Sequence, residues 1–122
     1  MDNEYTVKVS KQGRIKLPEC ITAKSPDGRL VASRGLGCFV QVYTYERWKE
    51  LEERFIDLLK GSPATGAIRP LIASAQIVIP KGNYIVLPSH LREYANISEY
   101  AVIKENEKGA EIWGADDLDL PG

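Results

Sequence analysis

The sequence predicts a mainly β protein with short helices, an α+β fold in which one half-unit is used twice. Three observations predict it. The first is the stretch VKVSKQGRIKLPECIT, ending at Thr22, where Val, Ile and Leu alternate with charged residues on both sides of Gln12-Gly13. Such alternation gives strands with one apolar and one solvated face. The second is self-similarity: at an offset of 70 residues, Ser10–Thr22 lies over Pro80–Arg92 without a gap. Lys11 then meets Lys81, Ile15 meets Ile85, Leu17 meets Leu87, Pro18 meets Pro88 and Ile21 meets Leu91. The third is that the same offset lays Leu30-Val31-Ala32 over Tyr100-Ala101-Val102, Val42-Tyr43 over Ile112-Trp113, and Trp48 over Leu118. A constant offset that keeps the apolar pattern of separate segments marks a duplication. The copies are expected at 1–61, which includes a helix at 45–60, and at 62–122.

In chain order, Glu4–Val9 reads as the first strand and Arg14–Leu17 as the second, so that the two form a ribbon reversed at Gln12-Gly13. Pro18 closes the second strand and suits the first turn of a short helix over Glu19–Ala23, where its missing N–H is not needed. Ser25-Pro26-Asp27-Gly28 is a turn by composition. Leu30–Ser33 and Cys38–Tyr43 read as strands, and Thr44 can cap the helix that follows. In that helix Trp48, Leu51, Phe55 and Leu58 form one apolar stripe opposite Glu50, Glu53 and Asp57, with Gly61 ending it. Gly61–Gly66 links the copies, and Ile68–Ala75 reads as a short helix. In the second copy, Ile77–Ile79 and Tyr84–Leu87 flank a tight turn at Gly82-Asn83. Pro88–Ala95 is a short helix stopped by Asn96, and Tyr100–Lys104 and Ala110–Trp113 are strands joined by Glu105–Gly109.

Composition narrows the function classes. At 122 residues and 43% hydrophobic content the chain can build a core. No apolar run approaches the ~18 residues of a membrane span, and Met1-Asp2-Asn3-Glu4 does not open a signal peptide. Cys20 and Cys38 are too few for a disulfide framework or a zinc site. They read as buried or partly buried free thiols in a reducing cytoplasm. The net charge of −1 conceals a polarised chain. Residues 1–44 carry seven basic against four acidic side chains, whereas from Glu93 onward two lysines stand against eight acids. The outer face of the first ribbon holds Lys8, Lys11, Arg14 and Lys16 with no acid among them. Such a ribbon suits a DNA groove, with its cations near phosphates. In the second copy Arg14 becomes Tyr84 and Lys16 becomes Val86, so most of the charge is lost.

No catalytic constellation competes. His90 is the sole histidine and lacks a visible nucleophile or carboxylate partner, so it reads as a solvated helix residue or a contact. Glu50, Glu52 and Glu53 read as a solvated helix face, and Trp48 and Trp113 as core or interface anchors. The chain is expected not to be an enzyme and to need no cofactor or metal.

The order GRIKLP, CFVQVYTYERW, a long Leu-rich helix, LPSHLREYANI and AEIW resembles the MraZ family, bacterial proteins of the AbrB-like swapped-hairpin group associated with the division and cell-wall gene cluster. The resemblance runs from about Val7 to about Trp113. It implies two swapped-hairpin barrel halves and a transcriptional regulator that closes into a homo-oligomeric ring. It further implies binding to short direct repeats in a promoter, through a motif of Asp, three residues and Arg in each half. Here the first motif has Ser10 in place of Asp and keeps Arg14; the second has Pro80 and Tyr84. The Leu-Arg after the proline is kept as Leu91-Arg92 but is Ile21-Thr22 in the first half. The family continues into another helix beyond the position of Gly122.

The resulting expectation is a cytoplasmic, nucleoid-associated DNA-binding regulator with neither membrane nor small-molecule partner. Arg14, Lys11 and Lys16 are the expected groove and phosphate contacts, supported by Lys8, Arg34, Lys81 and Arg92. The alternative is a protein-interaction module, antitoxin-like or a subunit that modulates a related regulator, in which DNA binding has degraded. Self-association is expected on separate grounds, because Trp48, Phe55, Tyr94 and Trp113 offer more apolar surface than one small core should absorb.

Overall fold

Short strands that cannot bury an apolar face alone are assembled here by crossing between the two halves of the chain. The computed structural model describes residues 4–24, 28–61 and 68–115. Its elements run β1 (Glu4–Lys8), β2 (Arg14–Lys16), α1 (Glu19–Thr22), β3 (Leu30–Arg34), β4 (Phe39–Thr44), α2 (Tyr45–Gly61), α3 (Ile68–Ser74), β5 (Gln76–Val78), β6 (Tyr84–Val86), α4 (Ser89–Tyr94), β7 (Tyr100–Asn106) and β8 (Gly109–Gly114). The fold is mainly β with short helices, as expected. Six strands form one antiparallel sheet in the order β1-β7-β8-β4-β3-β5, and β2 pairs with β6 in a second, two-stranded sheet.

This pairing corrects one sequence expectation. β1 and β2 are not the two sides of one ribbon, because they leave the turn at Lys11-Gln12-Gly13 into different sheets. Three-residue β2 gains more by crossing to β6, where Ile15 lies directly opposite Ile85 and both are lost from solvent. Backbone bonds from Leu17 N to Asn83 O (2.7 Å) and from Leu87 N to Gly13 O (2.9 Å) continue the ladder at either end. The exchange is symmetric. Val7 faces Ala101 and Ile77 faces Val31, pairs that interconvert when the sequence offset of 70 is added to one member and subtracted from the other.

Two apolar clusters hold these layers. The larger lies between the six-stranded and two-stranded sheets; Ile15, Leu17, Ile21, Leu30, Val40, Ile85, Leu87, Leu91, Ile103 and Ile112 are all at most 1% exposed. The smaller lies on the opposite face of the large sheet, where Trp48 of α2 and Leu71 of α3 cover Val31 and Tyr43. Leu51 and Phe55 of the expected stripe pack against this cluster; the side chain of Leu58 lies outside the described residues. Thr44 caps α2 as expected, its Oγ1 accepting the Arg47 N–H at 3.3 Å. Asn96 stops α4: its φ of 53° is left-handed, and Ile97 N donates to Arg92 O at 2.9 Å while Asn96 N donates to Glu93 O at 3.3 Å. This pair of bonds closes a helix on a left-handed residue.

The last hairpin is tighter than expected. β7 runs on to Asn106 and β8 begins at Gly109, because the Asn106 Oδ1 accepts both the Lys108 and Gly109 N–H groups, at 3.1 and 3.0 Å. The cysteine expectation is also corrected, since both thiols are exposed. Ile21 takes the buried position of the single-turn α1, leaving Cys20 outside, and Cys38 stands in the β3–β4 turn. The expected turn at Ser25-Pro26-Asp27, most of the linker Gly61–Gly66, and Leu118 lie outside the described residues. Among the described residues no helix is long and apolar enough to cross a membrane.

Candidate nucleic-acid interface

The small sheet presents its outer face as a four-residue chequerboard. Register places Arg14 opposite Val86 and Lys16 opposite Tyr84; strand alternation turns Ile15 and Ile85 inward and leaves these four exposed. Arg14 and Tyr84 lie on a diagonal, and the guanidinium carbon sits 4.4 Å from the ring centroid. A cation over an aromatic face at this distance is attracted by the ring quadrupole while keeping its N–H edge free.

The turn holds Arg14 from the other side. Ser10 Oγ accepts the Arg14 N–H at 3.0 Å and Arg14 O accepts from Ser10 N at 3.1 Å. A serine hydroxyl thus supplies the local acceptor that an aspartate would supply from the same place. Gly13 follows with φ of 88°, and a Cβ there would stand 2.5 Å from Arg92 Nε and 2.8 Å from Leu87 O. The second turn is built differently. Pro80 has no N–H, and the pairing narrows to Lys81 and Tyr84, whose backbones exchange bonds of 2.8 and 3.1 Å around Gly82-Asn83.

Two grooves flank the Arg14–Tyr84 stack, and both include it. One, of about 530 Å³, is lined by Val7, Lys8, Ser10, Arg14, Lys16 and Tyr84. The other, of about 430 Å³, includes Ile77, Ile79, Lys81 and Val86 beside that stack. Among the described residues no acid lines either groove. Lys8, Arg14 and Lys16 make no ion pair with a described carboxylate.

The expected binding residues separate into two groups. Lys8, Arg14 and Lys16 come together at the first groove, Lys81 joins Arg14 at the second, and Lys11 stands exposed in the intervening turn. Arg34 and Arg92 line neither. Arg34 ends β3 with its guanidinium 4.9 Å from the Tyr94 ring, while half-buried Arg92 donates from Nε to Leu87 O at 3.1 Å beneath Gly13. Arg92 therefore supports the first turn. From the sequence Tyr84 and Val86 register only as lost cations; the strand exchange that sets them beside Arg14 and Lys16 is a long-range pairing, which the local pattern does not specify.

His90 is exposed, with its Nε2 3.2 Å from the backbone oxygen Ser74 O, and no nucleophile among the described residues is bonded to it. No grouping of three potential metal ligands occurs among the described residues.

No family model matches the chain. Individual relatives do. A protein of Treponema denticola named transcriptional regulator MraZ is 33% identical over 117 residues, spanning 93% of this chain and 81% of the relative. A Herpetosiphon aurantiacus protein of the same name is 32% identical over 115 residues, spanning 93% and 80%. One from Natranaerobius thermophilus is 32% identical over 118 residues, spanning 95% and 82%.

Proposed function

The chain belongs to the MraZ family of transcriptional regulators, and from that premise we propose that it binds promoter DNA through the outer face of β2 and β6, as a ring of identical subunits engaging direct repeats. The observation that carries the reading is the groove where Lys8, Arg14 and Lys16 converge with no acid among its described lining residues. Three cations held together attract a phosphate backbone, and binding releases its condensed counterions. Arg14 alone among them has a planar donor fork suited to the O6 and N7 of guanine. Lys81 and Lys11 add charge at the margins. One subunit offers few contacts, so affinity depends on repetition at a spacing that matches the DNA repeats. Support for self-association comes from half-buried Phe39 and Trp113, which stack at 4.7 Å outside the cluster that Trp48 and Leu71 form.

The test is a titration of the protein with its own upstream region and with a scrambled duplex, each at low and physiological salt, with light scattering on the same sample. The expected results are preference for the native sequence, a log–log salt slope several units negative, and a particle several times the monomer mass. A shallow slope without sequence preference would transfer the reading to a protein-interaction module. A monomer would remove the ring.

A further inference from the structure

The second groove raises a question that lost charge does not answer. If Tyr84 and Val86 stood only where DNA contacts had decayed, solvated polar residues would serve equally well. Instead the surface there is apolar and contiguous: Ile79 is 68% exposed, Val86 55%, Ile77 49% and Tyr84 39%. All four line one groove. Single exposed apolar residues need no explanation, but a grouped patch marks a binding surface.

The cations around this patch identify its occupant. Arg14 and Lys81 line the same groove, Lys16 lies opposite Tyr84 on the same sheet face, and no acid is among the described lining residues. Protein-binding patches are depleted of lysine at their centres, whereas DNA presents both chemistries close together. Phosphates flank the major groove, and within it the only apolar group on a base edge is the thymine methyl, which side chains read by contact.

We infer that the second hairpin reads thymine methyls, with Val86 and Ile79 in contact and Tyr84 both supporting Arg14 and closing the apolar surface. The inference rests on the DNA-binding reading above. It makes the two copies unequal readers: Arg14 addresses guanine, and the chequerboard neighbour Val86 addresses a thymine nearby. The half-site should therefore be asymmetric, with a guanine and a thymine within a few base pairs.

Replacing thymine with deoxyuridine tests this directly, because it removes the methyl and preserves every hydrogen bond. Deoxyuridine is placed at one thymine at a time across the protein's own repeat, and affinity is measured for the wild type and for V86A and I79A. At one or two positions the wild type should bind about four-fold more weakly per methyl lost, the transfer value for one such group. V86A or I79A should bind the thymine and deoxyuridine duplexes equally there, with the salt slope unchanged. Equal binding of every deoxyuridine duplex by the wild type would overturn the inference while leaving DNA binding intact. Methyl dependence that survives in both V86A and I79A would overturn it as well. A change of particle mass in V86A without a change in methyl discrimination would assign the patch to contact between copies. Failure to bind the upstream region at all would remove both this inference and the reading beneath it.

Discussion

Ile15 and Ile85 hold equivalent places in the two copies and face each other across β2 and β6, both at most 1% exposed. Arg14 and Tyr84, one residue earlier in each copy, also hold equivalent places, yet one is a cation and the other an aromatic ring lying 4.4 Å beneath it. Inside the small sheet, the exchange of strands makes the copies match, because the partner of Ile15 is its own counterpart, Ile85. Outside, nothing forces a match, and the two surfaces have diverged into a basic groove and an apolar one. The strand exchange supplies one scaffold, and asymmetry on its surface supplies two different chemistries.

The sharpest break of this comparison is in the core. Ile15→Ala and Ile85→Ala should each cost about 2–5 kcal/mol, the range for emptying a fully buried aliphatic site. The two costs should be similar, as measured by urea denaturation. The double variant should depart from additivity, because the two side chains share one site. Markedly unequal single costs would mean that the interior is as asymmetric as the surface.

On the surface the expectation reverses. Arg14→Ala should weaken binding to the native upstream region by about 10- to 100-fold, since one good bidentate base contact carries about 1–3 kcal/mol. Tyr84→Ala should cost only several-fold, through the freed Arg14 and one edge of the apolar patch. If a gel-shift titration gives equal losses, the assignment of base reading to the first copy is wrong. Tyr84→Arg sharpens the contrast: a restored cation should make the salt slope steeper by about one unit per engaged subunit.

The same logic separates what the residues revealed from what they concealed. The offset of Ser10–Thr22 against Pro80–Arg92 and the alternation within each segment made the strand content legible, because both are local patterns. Thr44 and Asn96 marked helix ends, since capping depends on residues within one turn. Strand partners were another matter. The apolar pattern of VKVSKQGRIKL fits a ribbon closed on itself as well as one that exchanges partners with a distant copy, and only tertiary packing chooses. Of the candidate site, Lys8, Arg14 and Lys16 were readable as unpaired charge. Arg92 was not readable as a support, because its role depends on Gly13 from the other half of the chain lying against it.

The turns supply a smaller test. Gly13→Ala should destabilise the protein by about 1–3 kcal/mol, as φ of 88° strains an L-residue and the added Cβ would press on Arg92 and Leu87. Gly82→Ala has φ of 62° and open space, so it should cost about 1 kcal/mol for the left-handed backbone alone. Thermal melts of the two variants compare them. Gly13→Ala should also lower DNA affinity beyond its effect on stability, because it displaces the support of the turn that carries Arg14. Equal melting shifts would mean that the contact between Arg92 and the first turn is absent in solution.

The smallest effect concerns Cys20, whose counterpart in the second copy is His90. The Cys20 thiol donates to Glu105 Oε1 at 2.8 Å, and the Tyr5 hydroxyl donates to the same oxygen at 3.1 Å. The hydrogen bond to Glu105, followed by partial desolvation and the carboxylate's charge, raises the thiol's pKa. The thiol's bond in turn lowers the pKa of Glu105. A raised thiol pKa means less thiolate at neutral pH, so iodoacetamide should alkylate Cys20 several-fold more slowly than a cysteine in an unstructured peptide. Glu105→Gln removes the charge and should bring the rate back toward the peptide value. For stability the sign is that of a depressed carboxyl. The contribution is present above the unfolded carboxylate pKa and is lost as pH falls through the lower folded value. Cys20→Ala should therefore weaken the acid dependence of the melting temperature slightly, with little effect at neutral pH, because the site is exposed and screened by solvent. Peptide-like alkylation of Cys20 in the wild type would show that the thiol does not hold this contact in solution, and the acid-side prediction would fall with it.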